Sequence, residues 1–225
     1  MQLDTAHRWA RRGLQTILLV EATLALFQAR WLEATICLLT FLSLFFPLLL
    51  KYRFRLYLPS SLQLFVTSFI FATLYLGEVR GYYERYWWWD MLLHGLAGFL
   101  LGGIGFLVAH AANRAARINS LLKPGFVALF AFLLAVGSGA VWEIFEFGMD
   151  RLFGTNMQMA ARGDLSGLND TMWDSVMNAG GALLTSLSGW RYLRQGPVDE
   201  RRQVHLLKDW IPAFIEDNPR LFRNR

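Results

Sequence analysis

Three carboxylate side chains lie within eight residues of one another at the end of an apolar stretch of this chain. They are Glu143, Glu146 and Asp150, in the segment WEIFEFGMD. Spacings of three and four residues place them on one face of an α-helix. Acids near a helix C-terminus are disfavoured by the helix dipole, so a solvated helix end explains them poorly. We interpret them as one wall of a polar site.

Two other segments place polar side chains at helical spacing. Asp90 and His94 are four residues apart, and Asp170, Asp174 and Asn178 follow one another at the same interval. Each set forms one stripe on an otherwise apolar helix, so the stripes must turn away from lipid. The simplest arrangement has all three stripes facing one another. Taken singly, an acid such as Asp90 or Asp170 is more often a helix N-cap, as Asn169 would also be.

The negative charge of this predicted site must be balanced by cations or protons. An ionised acid near the bilayer centre costs about 2.5–3.5 kcal/mol, and neighbouring acids add to that cost. Arg151 and Arg162 are too few to balance six acids. A bound divalent metal is one remedy, and protonated carboxylates are another. Oxygen ligands with one imidazole suit Mg²⁺, Mn²⁺, Ca²⁺ or Zn²⁺. The predicted metal ligands are Asp90, His94, Glu143, Glu146, Asp150, Asp170 and Asp174.

The same residues suggest a reaction. A metal-dependent hydrolase or transferase at the outer leaflet would use Glu143 or Glu146 as general base and His94 as ligand or acid. Its substrate would be lipid-linked or phosphate-bearing. An ion- or proton-coupled transporter or lipid permease is the alternative, but it needs a polar path across the membrane. A non-catalytic envelope assembly factor, with the acids only holding helices together, is a third interpretation.

Apolar spans must position these residues. The 225-residue chain is 55% hydrophobic with a mean hydropathy of +0.32, which is too apolar for an ordinary soluble domain. Its apolar runs are continuous rather than alternating, which predicts an all-α polytopic membrane protein and not a β-barrel. We expect six spans, the first of them retained rather than cleaved although it carries Glu21. They lie near residues 13–29, 32–50, 61–79, 90–110, 125–149 and 172–190.

Basic residues predict the orientation of these spans. Of the 22 lysines and arginines, 17 fall on the side that holds both termini, and 5 fall on the other side. The excess predicts cytoplasmic termini. The net charge of +5 then reflects basic cytoplasmic loops near anionic lipid, and no nucleic-acid partner is needed. All six acids of the predicted site lie at the external ends of their spans.

Small residues and the C-terminal segment complete the organisation. Glycine-rich stretches occur in spans four, five and six, where they allow close helix packing. Residues 1–196 are predicted to form one membrane domain. Residues 197–225 are predicted to form a cytoplasmic amphipathic tail, dispensable for chemistry, whose apolar face holds Val204, Leu207, Trp210 and Ile211.

Three segments together resemble a known family. They are DMLLHGLAGFLLG at 90–102, WEIFEFGMDRLFGTNMQ at 142–158 and DTMWDSVMNAGGALL at 170–184. They look like the YjdF family of bacterial inner-membrane proteins, which implies a multi-pass protein of that membrane. A looser likeness is to VanZ-like proteins, whose pattern has Asp and His, then Glu-x-x-Gln, then Asp and Asn. Glu146 stands where that pattern has Gln. Neither resemblance implies a substrate.

Overall fold

All the regular secondary structure is helical in the residues that the computed structural model describes, which are 2–115, 123–159, 164–194, 213–214 and 216–219. These ranges contain no β-strand, so the all-α prediction is confirmed for them. The first five helices are α1 (Gln2–Phe27), α2 (Trp31–Ser43), α3 (Phe46–Phe54), α4 (Ser60–Ile70) and α5 (Tyr82–Arg85). The last three are α6 (Trp89–Ala115), α7 (Pro124–Phe153) and α8 (Leu168–Arg194).

Several helices are long and apolar enough to cross a bilayer. Three stretches meet this condition: Ser60–Val79, Trp89–Ala109 and Pro124–Phe153. The pair α2 and α3 adds a fourth if it forms one broken span. Both α1 and α8 are of similar length, but charged and polar residues make them less apolar. The chain is thus a helical membrane protein by length and composition.

The predicted span at 32–50 is not one straight helix. α2 ends at Ser43, α3 begins at Phe46, and their axes differ by 41°. Pro47 explains the break, because it has no N–H to bond to the carbonyl of Ser43 and its ring crowds that carbonyl. A second irregularity follows α4, which continues as a π-helical segment over Phe71–Val79.

The described residues up to Trp89 group into a first compact unit, which also includes the C-terminal segment around Asn218. Its core is made of Leu18, Ala22, Cys37, Leu44, Phe71 and Tyr75. Glu21 has its own partners in this unit. Arg30 Nη2 and Arg80 Nη1 lie 3.8 and 3.9 Å from Glu21 Oε1, and the Tyr75 hydroxyl donates to Oε2 at 3.5 Å. The polar contacts of Glu21 are therefore structural ones within the first unit.

The C-terminal segment is tied to the loop after α3. Asn218 Oδ1 accepts a hydrogen bond from Tyr57 N at 2.7 Å, and its Nδ2 donates to Tyr57 O at 2.7 Å. Nδ2 also donates to Phe214 O at 2.8 Å, and both Phe214 and Asn218 are buried. Val204, Leu207, Trp210 and Ile211 lie outside the described residues, so the amphipathic tail helix stays a prediction.

The residues from Asp90 to Arg194 form the second unit, in which glycines bring helix backbones into contact. A Cβ added to Gly181 of α8 would overlap the carbonyl oxygen of Gly95 in α6 and lie 2.8 Å from Phe99 N. A Cβ added to Gly105 of α6 would lie 2.9 Å from the Cα of Ala131 in α7. Only glycine allows these approaches, and the contact of Gly181 with Gly95 lies near the ends of α6 and α8 that carry the predicted acids.

Candidate metal centre

His94 lies between two carboxylates at the start of α6. Its Nε2 is 3.5 Å from Asp90 Oδ1, one helical turn before it, and its Nδ1 is 3.5 Å from Glu143 Oε1 of α7. His94 is 8% exposed, and Asp90 and Glu143 are each 7% exposed. Distances of 3.5 Å are too long for strong hydrogen bonds. The two edges of one buried imidazole therefore each face a carboxylate without a tight contact.

Two groups of three side chains offer ligand atoms within 4.8 Å of one another. One is Asp90, His94 and Asp174, and the other is His94, Glu143 and Glu146. Helix geometry explains both, since Asp90 and His94 share one face of α6 and the two glutamates share one face of α7. α8 supplies Asp174 from its second turn. The stripes predicted from spacing thus meet at these five residues.

Three carboxylates of this cluster, those of Asp174, Glu143 and Glu146, are buried with little protein hydrogen bonding. Asp174 is 0% exposed, and neither of its oxygens has a hydrogen-bond partner. The same holds for both oxygens of Glu143 and for Glu146 Oε2. Glu146 Oε1 accepts from Trp142 Nε1 at 2.9 Å. Such orphaned acids carry a desolvation cost that a bound cation or a proton would offset.

No lysine or arginine in the described ranges forms an ion pair with Glu143, Glu146 or Asp174. Arg151, one of the two candidates for charge balance, lies with its guanidinium 5.2 Å from the centre of the Phe147 ring. Arg162, the other candidate, falls outside the described residues. The buried acids are therefore not neutralised by the basic side chains whose positions are known.

The side chains present fit a divalent cation. The donor set is carboxylate oxygen with a single imidazole nitrogen, which Mg²⁺, Mn²⁺ and Ca²⁺ accept and which Zn²⁺ also tolerates. The unpartnered oxygens of Asp174 and Glu143 point to the same conclusion, because metal ligation would satisfy their lone pairs. The predicted metal itself stays a prediction.

Asp150 has different surroundings from the other predicted ligands. Its Oδ1 accepts from Thr155 Oγ1 at 2.6 Å and from Met157 N at 2.7 Å, and its Oδ2 accepts from Gln158 N at 2.9 Å. It holds the loop that follows α7, where Gly154 ends the helix in a left-handed conformation. Asp150 belongs to neither group of potential ligands, and its metal role stays a prediction.

Asp170 lies in the first turn of α8, and it is not the helix cap that its position alone suggests. The helix begins at Leu168, and the Asp164 carboxylate accepts from Ser166 N at 3.0 Å and from Asn169 N at 2.8 Å. A hydrogen bond from the Ser166 hydroxyl, together with these two from backbone amides, holds the pKa of Asp164 below its usual range. Asp170 instead lies within electrostatic range of Glu143, with one buried oxygen unpartnered.

Three side chains that spacing did not single out support the cluster. Trp142 donates to Glu146, as described above. Gln158 is buried, and its Nε2 donates to Thr171 Oγ1 at 2.8 Å. The Thr171 hydroxyl accepts this hydrogen bond and lies near the Glu143 carboxylate. Gly167, with φ of +71°, packs against Gln158. This glycine is the feature of the sequence that could have predicted the turn.

Comparison with known proteins places these residues in a wider group. The family model described as "Predicted membrane protein (DUF2238)" matches residues 10–195, which include every side chain of the cluster. An "Uncharacterized protein" of Thermotoga maritima is 32% identical over 122 residues, or 54% of this chain. The match spans 57% of that relative's length. No solved structure matches the chain.

Proposed function

The chain belongs to the DUF2238 family of predicted membrane proteins, and on that premise we propose that it is a divalent-metal-dependent membrane enzyme. It acts as a hydrolase or transferase on a phosphate-bearing, lipid-linked substrate of the cell envelope. The observation that carries this proposal is that Glu143 and Asp174, which lie beside His94, are buried with both carboxylate oxygens unpartnered. A purely structural cluster is a poorer explanation, because buried ion networks are weak sources of stability.

The side chains of the cluster divide into separate roles. A divalent cation, when bound, polarises phosphoryl oxygens and lowers the pKa of a water molecule. Asp90, Asp174 and His94 would hold the cation. Glu143 has no competing hydrogen bond, so it is the better general base. Glu146 is held in place through Trp142 Nε1 and would orient or ligate rather than move a proton.

Two polar residues deeper in α8 favour an enzyme over a transporter, although the buried Ser186 hydroxyl in the same helix has no hydrogen-bond partner. Asn178 Nδ2 donates to Ala135 O of α7 at 3.2 Å, and Thr185 Oγ1 donates to Phe99 O of α6 at 2.9 Å. Both side chains join helices rather than line a path. A coupled transporter needs polar groups free to accept ions beyond the acidic cluster. This supports a site open on one side only.

We also propose six spans in a bacterial inner membrane, with both termini cytoplasmic. Two contacts in the first unit support the arrangement. Arg30 and Arg80, from loops predicted to be external, both approach Glu21. Tyr57 and Asn218, from segments predicted to be cytoplasmic, bond to each other. In each case the two segments in contact are predicted to lie on the same side of the membrane.

Metal analysis of the purified protein tests the proposal. We expect wild-type protein to carry a divalent metal and to release phosphate from a polyprenyl diphosphate in detergent. Glu143→Gln keeps the shape of the side chain and should abolish that release. Glu84→Gln, an exposed acid of α5, is the matched control and should behave as wild type. Wild-type protein that holds no metal and gains no thermal stability from divalent ions would refute the enzyme proposal.

A further inference from the structure

Asn178 lies one helical turn after Asp174 in α8, and it is 2% exposed. We propose that Asn178 is a positioning residue of the metal centre, which holds Asp174 opposite His94 and Glu143 without touching the cation. This inference rests on the proposed function and deepens it, because it names an uncharged residue on which the metal affinity depends.

Two glycines occupy the corresponding places in the neighbouring helices. Gly98 follows His94 by four residues in α6, and Gly139 precedes Glu143 by four residues in α7. Asn178 has the same offset from the acid of its own helix. Four residues advance an α-helix by about 6 Å. The three residues are therefore expected to form a layer one turn away from the candidate ligands.

Both glycines are in direct contact with Asn178. A Cβ added to Gly98 would overlap the carbonyl oxygen of Asn178 and lie 2.8 Å from its Oδ1. A Cβ added to Gly139 would overlap Nδ2 of Asn178 and lie 2.7 Å from its Cγ. The contact with α6 is thus chiefly to the backbone of Asn178, and the contact with α7 is to its side chain. Asn178 occupies the space between these two helices.

A hydrogen bond attaches the Asn178 side chain to α7. Its Nδ2 donates to Ala135 O at 3.2 Å, one helical turn before Gly139. Ala135 is 0% exposed, and a hydrogen bond in such an apolar environment is stronger than one in water. The bond opposes sliding of α8 along α7. It therefore supports the position of Asp174 relative to Glu143 in the layer above.

The two acids depend on their helix backbones for their positions. Neither the oxygens of Asp174 nor those of Glu143 have hydrogen-bond partners that would orient them. Metal ligands normally rely on such partners. Where the partners are missing, the spacing of the helices takes their place, and a displacement of about 1 Å is enough to impair such a site. Asn178 is in contact with both helices that face Asp174.

Titration of the metal-free, full-length protein in detergent with Mn²⁺ tests this inference. Asn178→Ala should raise the Kd for Mn²⁺ about 10–100-fold, the range typical of residues that support metal ligands. Thr185→Val is the matched control. It also removes a hydrogen bond between helices, to Phe99 O at 2.9 Å, but lies about two turns further from the ligands. Its Kd should equal that of wild type, and the electron paramagnetic resonance spectrum of bound Mn²⁺ should change in Asn178→Ala alone.

A second measurement needs no metal. In a chelator, Gly139→Ala and Gly98→Ala should each lower the melting temperature. Combined with Asn178→Ala, the Gly139→Ala change should cost nothing further, because the side chain that it overlaps is gone. Gly98→Ala should still lower the melting temperature of Asn178→Ala, because the backbone carbonyl oxygen remains. Equal behaviour of the two combinations would contradict the role assigned to the Asn178 side chain.

The outcomes separate the inference from the proposed function. Wild-type affinity in Asn178→Ala, or an equal loss in Thr185→Val, would overturn the positioning role and leave the enzyme proposal standing. Mn²⁺ binding that depends on Asn178 in a protein that releases no phosphate would uphold the inference and overturn the activity. Wild-type protein that binds no divalent ion would overturn both. If Asn178→Ala does not fold, Asn178→Ser, whose side chain is too short to reach Ala135 O, gives the same comparison.

Discussion

Glu143 is a buried acid that no described lysine or arginine pairs with, so its replacement should have opposite effects with and without metal. In a chelator, Glu143→Gln should melt at the same temperature as wild type or higher, because a buried, unpartnered acid is gone. With Mn²⁺ in excess, wild type should melt higher, since binding at about 100 times Kd adds roughly 2.7 kcal/mol. Thermal scans in both buffers measure this crossover. A variant that melts below wild type in chelator would contradict the expectation.

We expect Trp142 to affect metal affinity only through its hydrogen bond to Glu146. Trp142→Phe removes the indole donor at 2.9 Å but keeps an aromatic ring. Supporting partners of metal ligands typically change affinity by about 10–100-fold, so we expect weaker Mn²⁺ binding within that range. Calorimetric titration gives the value. Trp87→Phe, at a tryptophan that is 80% exposed, is the matched control and should leave affinity unchanged.

Spacing identified His94, Glu143, Glu146 and Asp174 because helical geometry alone puts them on shared faces. Their supporting partners were not predictable in the same way. Gln158 and Thr171 are brought together by the path of the loop after α7, and that path depends on the hydrogen bonds of Asp150. Periodicity has no information about such a path. The sequence thus predicted the charged residues of the cluster and missed the neutral ones.

Adjacent glycines of α8 should respond in opposite ways to the same substitution. Gly181→Ala forces a methyl group against the backbone of α6 at Gly95, and overpacking of this kind costs about 1–3 kcal/mol. A Cβ added to Gly180 meets nothing within 4 Å. Gly180→Ala should therefore be neutral or stabilising by about 0.5–1 kcal/mol, because alanine favours helix. Thermal unfolding in detergent compares the two, and equal losses would contradict close packing of α6 and α8.

The loop after α7 gives a direct test of what Asp150 does. Asp150→Ala removes acceptors for Met157 N and Gln158 N. We expect faster hydrogen exchange at those two amides and an unchanged number of bound Mn²⁺ ions. Mass-spectrometric exchange and metal analysis supply the two readouts. Loss of one ion in Asp150→Ala would instead restore this residue to the ligand set that spacing predicted.

The sequence predicted the positions of the long helices but not every break, irregular turn or cap. The predicted spans locate the long helices, because apolar length is readable directly. The break between α2 and α3 was missed although Pro47 stands beside it, since a proline near a helix start is also tolerated. Neither the π-helical Phe71–Val79 nor the capping of α8 by Asp164 has a periodic pattern that would predict it.

The orientation of the whole molecule is open to a simple test. Six spans with 17 basic residues on one side and 5 on the other predict an external loop at residue 160 and a cytoplasmic C-terminus. Reporter fusions at both places should give a periplasmic signal and a cytoplasmic signal respectively. The same signal at both positions would mean an even number of membrane crossings between them, contrary to the single crossing proposed for α8.

The bond between Tyr57 and Asn218 makes the first unit depend on the end of the chain. The two residues are 161 positions apart, so a ribosome adding about 5–20 residues per second reaches Asn218 roughly 8–32 seconds after Tyr57. During that interval the amide and carbonyl of Tyr57 lack the side-chain partner that Asn218 provides. The first helices are therefore synthesised early, but their contact with the C-terminal segment is the last one to form. A truncated chain that ends before Asn218 would lack these hydrogen bonds to Tyr57 permanently.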